Sequence, residues 1–240
     1  MKGVDSVELK ITVPETDHRS AIHALSMDPL DAEIRQVFFF DTTGLDLFDA
    51  GVIARARRTR QGDDSVVKLR PVVPAELPKE VRKSPALVVE VDAMPGTSVC
   101  SASLKADHDP GVVKDFRNGR RPLKKVFTRE QRGFFEANAP GGLTFRDLAV
   151  MGPLIVFKLT FAPSGYDRDM VAEMWMYPDG SRALELSTKC RPAKADAVAA
   201  ETKAFLVARG VDVDGFQETK TAKALRFFAA ELAARSGQSS

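Results

Sequence analysis

The sequence predicts an α+β protein: an antiparallel sheet with helices packed on its apolar side. Two observations carry this. Eight segments alternate apolar and polar residues with the two-residue period of a strand. Turn-rich links join several of them directly, which suits antiparallel neighbours, and capped helical segments interrupt the series.

The first strand is VDSVELKITV, Val4 to Val13, with Val7, Leu9, Ile11 and Val13 opposite Ser6, Glu8, Lys10 and Thr12. A short helix, PETDHRSAIHALS, follows it. VFFFDT (37–42) is a mostly apolar strand. GVIARARRTR places Ile53, Arg55 and Arg57 on one face, and SVVKLRPV does the same with Val66, Lys68 and Arg70. The link between them, QGDDS, suits a hairpin. PAELPKEVRKSP (74–85) reads as a loop or short helix. ALVVEVDAM aligns Val88, Glu90 and Asp92. PLIVFKLTFA aligns Val156, Lys158 and Thr160, MVAEMWMY aligns Glu173, Trp175 and Tyr177, and SRALELSTK aligns Ala183, Glu185 and Ser187. Pro-Asp-Gly in YPDGSRAL is a strong turn signal between the last two.

Among the helices, FTREQRGFFEAN opens with Thr128 and Gln131, the spacing of a capping box. LTFRDLAVM is another short helical candidate. PAKADAVAAETKAFLVARG starts at Pro192 and stops at Gly210, as a helix should. ETKTAKALRFFAAELAARS closes the chain with apolar residues near helical spacing, and the tail ARSGQSS is expected to fray. The 240 residues read as a single domain with a helical insertion at about 107–151 and C-terminal helices at about 192–235.

A net charge of +2 supplies no global field toward nucleic acid or membrane. No apolar run has the length of a membrane span, and the N-terminal residues do not form a signal peptide. Cys100 and Cys190 stand far apart without motif partners, so reduced thiols and a cytoplasmic location are expected. His18 and His23 are poorly spaced for a shared metal, and His108 falls in an expected exposed loop. RNGRRPLKK (117–125) lacks the interleaved aromatics that stack on bases and reads as a solvated loop. Lys105, after the small-residue run SASL, is either a surface lysine or reaches the charged face of the sheet.

Taken one strand at a time, the polar faces read as the wet side of a sheet. Taken together they do not. Basic pairs fall on consecutive strands, Arg55 and Arg57, then Lys68 and Arg70, where like charges repel unless an anion neutralises them. Arginine forks match phosphate oxygens. Carboxylates with phosphates are the donors magnesium prefers. A barrel with a charged interior would hold both around one ligand.

At these residues the sequence resembles the CYTH family, the triphosphate tunnel metalloenzymes. Glu8 and Lys10 match the first-strand Glu-x-Glu-x-Lys, with Ser6 in place of its first glutamate. Arg55 and Arg57, after FFDTTGLDL, match Arg-x-Arg; Lys68 and Arg70 match the next basic pair; Glu90 and Asp92 match an acidic pair. Lys158 matches a late basic position, Glu173 an acidic one, and Glu185 the closing Glu-x-Glu, with Ser187 in place of its second glutamate. The resemblance covers roughly residues 4 to 190. It implies an eight-stranded antiparallel β-barrel enclosing a triphosphate tunnel, with helices outside. It implies that Lys10, Arg55, Arg57, Lys68, Arg70 and Lys158 bind phosphates. It implies that Glu8, Glu173 and Glu185 bind Mg2+ or Mn2+, with Glu90 and Asp92 placing a second metal or a water, and that Glu8, Lys10 and Lys158 take part in catalysis. The expected ligand is a triphosphate or other phosphorylated small molecule, and the expected activity is a metal-dependent triphosphatase. Two alternatives stand beside it: a non-catalytic binder of polyphosphate, which the two serines favour, and a class IV-type adenylate cyclase.

Overall fold

The computed structural model describes residues 2–213 and 219–237. Nine strands form one closed barrel: β1 (Ser6–Val13), β2 (Glu33–Asp41), β3 (Val52–Arg58), β4 (Asp63–Leu69), β5 (Leu87–Met94), β6 (Thr97–His108), β7 (Ala149–Phe161), β8 (Met170–Met176) and β9 (Arg182–Cys190). Their order around the barrel is β1-β5-β6-β4-β3-β2-β7-β8-β9, and β9 pairs with β1 to close it. Eight strands match segments read from the sequence. The ninth, β6, was not expected. All pairings are antiparallel except β1 with β5, which is parallel and sets Glu8 beside Asp92. The barrel is therefore mixed, and its closure depends on that one parallel pair.

Seven α-helices accompany the barrel among the described residues: α1 (His18–Ala24), α2 (Asp46–Asp49), α3 (Lys79–Arg82), α4 (Val112–Arg117), α5 (Arg129–Glu136), α6 (Ala195–Ala208) and α7 (Lys220–Gly237). The capping box of α5 forms as expected: Thr128 accepts from the Gln131 N–H, and Gln131 accepts from the Thr128 N–H. The helix expected over LTFRDLAVM does not form. Asp147 accepts from the Thr144 N–H and hydroxyl in a turn, and Ala149 already belongs to β7. Pairing with β2 outweighs the local helical pattern there. Residues 238–240 of the tail lie outside the described residues, whereas α7 runs through 234–237.

The outward faces supply the core. Phe38, Phe40, Ala54, Val67 and Leu104 pack under α5 and its flanks, with Phe127, Phe134 and Phe135. Ile11, Val13, Leu184 and Leu186 pack with α1 and Leu206 of α6. Phe39 points the other way, into the barrel. There Val37, Phe39 and Trp175 meet Ala224, Leu225 and Phe228 of α7. This explains why VFFFDT lacks a polar face: one side meets the outer helices and the other meets a helix lying against the barrel interior. The FFDTTGLDL segment has a structural task as well. Buried Asp41 accepts the N–H groups of Leu47 and Phe48 at the start of α2. Both cysteines are free, and no helix among the described residues is long and apolar enough to cross a membrane.

Candidate functional site

The remaining interior is a cavity of about 340 Å³. Because side chains alternate along a strand, each strand that buries its outer face must send its polar face inward. Lys10, Arg35, Arg55, Arg57, Lys68, Arg70, Lys105, Lys158, Lys189 and Lys220 line it, together with Glu8, Glu90, Asp92, Glu173 and Glu185. Every site residue expected from the sequence is in this group. Arg35, Lys189 and Lys220 join it unassigned, and Lys105, read as either a surface lysine or one reaching the charged face, lines it too. Ten cations against five anions leave an excess of positive charge that a polyanion would neutralise.

The charges on β1, β4, β5 and β9 form a paired network. Lys10 Nζ lies 3.1 Å from Glu8 and 2.7 Å from Asp92. Asp92 also receives Lys68 at 3.0 Å and Arg70 at 3.7 Å. Glu90 accepts from Lys189 at 2.7 Å and from Ser6 Oγ at 2.8 Å. Burial alone would raise the Asp92 carboxyl, but Lys10 and Lys68 outweigh it and hold Asp92 well below its ordinary range. Burial would likewise lower Lys10, yet Glu185, Glu8 and Asp92 keep it above the usual lysine value. Gly51, at φ 75°, helps aim Arg70: its carbonyl accepts the Arg70 N–H, and a Cβ there would collide with the Arg70 carbonyl.

The charges on β2, β3 and β7, with Lys105 of β6, are satisfied differently. Arg57 pairs with Asp64 at 2.9 Å and Arg35 pairs with Glu33. Arg55, Lys105 and Lys158 make no ion pair among the described residues. Arg55 Nε is buried without a hydrogen-bond partner. Burial, then Arg57, pushes Arg55 down to about 10, which still leaves it charged at neutral pH. Burial and then Arg35 lower Lys158; burial and then Lys189 lower Lys105.

The five expected metal ligands divide into two groups. Oxygens of Glu8, Glu90 and Asp92 lie within 4.8 Å of one another, so this trio offers an all-oxygen set for a metal ion. Glu173 and Glu185, register partners on β8 and β9, are bridged instead by Lys220 of α7, whose Nζ is 2.8 Å from Glu185 and also bonds Glu173. The two serines act on neighbouring carboxylates: Ser6 donates to Glu90, and Ser187 Oγ donates to Glu8 at 3.3 Å.

The residues left outside the site also settle. His18 is buried and bonds the Val13 carbonyl. His108 is not in an exposed loop: it ends β6, 2.7 Å from Ser65 Oγ. Trp175 packs on Phe39 and donates to Glu173.

No family model matches the chain, and no curated protein matches it. Solved structures do. A Hippeastrum protein described as an adenylyl cyclase candidate with dominant triphosphatase activity aligns at TM-score 0.64 and 16% identity, over 90% of this chain and 92% of its own. A candidate adenylate cyclase from Bacillus halodurans aligns at TM-score 0.63 and 12% identity, over 93% and 98%. At such identities the likeness shows the fold. The chain has the CYTH-type barrel that the sequence resemblance predicted, with nine strands.

Proposed function

We propose that this barrel binds a triphosphate, inorganic or nucleoside, and hydrolyses its terminal phosphoanhydride with the help of a divalent metal. The observation that carries the reading is Arg55: a charged guanidinium lining a polar cavity, its Nε buried without a hydrogen-bond partner, beside Lys158 and Lys105, which make no ion pair among the described residues. A buried unpaired charge is costly, so such a group implies an anionic ligand. The dominant triphosphatase activity of the Hippeastrum protein points the same way.

Arg55 and Arg57 would hold the phosphate chain by forked hydrogen bonds, with Arg35, Lys158 and Lys105 completing the anion cradle. Lys68, Arg70 and Lys10 would meet its other end, where their charges are already shared with Asp92. Glu8, Glu90 and Asp92 would hold Mg2+ or Mn2+. Such an ion, when bound, polarises a phosphoryl oxygen and orients water. Lys10, fixed between Glu8 and Asp92, would neutralise charge on the phosphate being transferred, and Lys158 would do so from β7.

A second reading is favoured by a specific observation: Ser6 and Ser187 occupy positions where the family carries carboxylates, and both serve as hydrogen-bond donors. It makes the chain a binder of polyphosphate without turnover. Phosphate release from tripolyphosphate and from ATP, each with Mg2+ and Mn2+, separates the readings. Release of orthophosphate supports the hydrolase. Tight binding with no release supports the binder, and cyclic AMP with no orthophosphate supports a cyclase.

A further inference from the structure

We propose that Lys220 is a built-in cation of the barrel, whose ammonium takes the place a divalent ion would have between Glu173 and Glu185. Four observations on α7 carry this. Its ammonium contacts both carboxylates at once, which is the bridging position of a shared ion. It lies 5.1 Å from the centre of the Trp175 ring, whose indole N–H donates to the same Glu173. Its backbone is tied down by the Tyr177 hydroxyl, which donates to the Lys220 carbonyl. The residue is only 8% exposed, a burial that a lysine tolerates only when its charge is fully paired.

Burial works against the charged form of Lys220, but Glu185 and Glu173 outweigh it and raise the ammonium above its ordinary value. Glu173 is correspondingly held low despite burial, by the Lys220 charge first. The positive end of the α7 dipole adds to the field, since Lys220 opens an 18-residue helix. A divalent ion entering this pair would meet an ammonium that cannot leave without moving α7, and α7 is anchored on the barrel through Leu225 and Phe228. Ser187 fits this arrangement: with an ammonium as the counter-ion, the pair needs no third carboxylate. The other acidic set of the interior is Glu8, Glu90 and Asp92, of which Glu8 and Asp92 contact Lys10. This inference concerns cation occupancy and stands whether or not the ligand is a triphosphate.

The test is binding of Mn2+ alone, without phosphate, counted by electron paramagnetic resonance of the free ion. Wild type and Glu185→Gln should bind the same number of ions with the same affinity. Loss of an ion in Glu185→Gln overturns the proposal. Lys220→Met should gain one ion, and Lys220→Met with Glu185→Gln should lose it again. The gained ion should also quench Trp175, the only tryptophan in the chain. A folded Lys220→Met that gains no ion overturns the proposal. If that variant does not fold, the comparison of wild type with Glu185→Gln decides alone.

Discussion

The two sets of charges in the barrel differ in how they are satisfied. On β1, β4, β5 and β9 every charge has a partner: Asp92 is shared by Lys10, Lys68 and Arg70, and Glu90 by Lys189 and Ser6. On β2, β3 and β7, and at Lys105 of β6, Arg55, Lys105 and Lys158 have none among the described residues, and the pairs that exist, Arg57 with Asp64 and Arg35 with Glu33, engage partners that do not line the cavity. In the proposed reading, paired charges hold the barrel together and the unpaired ones meet the ligand. The same substitution should then have opposite consequences in the two sets.

The largest effect is expected in the paired set. Asp92→Asn strands Lys68 and Arg70 and leaves Lys10 with Glu8 alone, and should cost about 3–5 kcal/mol of stability, read by urea unfolding. The paired charges, with Glu173 of β8 and Lys220 of α7, set the pH limits. Asp92 and Glu173 have lowered values in the folded state, so their stabilisation is complete above the ordinary carboxylate range, near pH 4, and is lost as pH falls through their own values. Lys10 and Lys220 are raised, so theirs is complete below the ordinary lysine value and is lost only as pH rises beyond it. Thermal melts should therefore be flat through neutral pH and collapse in acid, with a shallower acid limb in Asp92→Asn. In the binding set, Arg57→Ala should weaken tripolyphosphate binding by about 10-fold in calorimetry, because Asp64 already shares its charge. The smallest effect is Ser6→Ala. It removes one hydrogen bond to Glu90, which keeps Lys189, and should cost about 1 kcal/mol in the same unfolding assay.

Much of this was legible in the sequence, because a strand buried on its outer face displays its inner face at every second residue. Glu8, Lys10, Arg55, Arg57, Lys68, Arg70, Glu90, Asp92, Lys158, Glu173 and Glu185 all follow from that alternation. Strand β6 did not, since TSVCSASLKADH is mostly small and polar, with Val99 and Leu104 its branched apolar residues, and its strand state comes from pairing with β4 and β5. Arg35 lies in the half of β2 that precedes its apolar run. The parallel pairing of β1 with β5 is a property of closure and has no local signal. Lys220 was the hardest to see. A lysine at the head of an amphipathic helix reads as a solvated cap, and only the docking of α7 turns it into the barrel. The disposition of Glu173 and Glu185 was hidden with it.

The central claim is that the unpaired charges exist for a polyanion. Calorimetric titration of tripolyphosphate into wild type and Arg55→Ala tests it most directly, with unfolding measured in parallel. The account predicts binding weakened by about 100-fold, two charge-assisted hydrogen bonds lost, and stability unchanged or raised, since an uncompensated buried charge has been removed. Unchanged affinity for tripolyphosphate, with stability lowered as in Asp92→Asn, would contradict it.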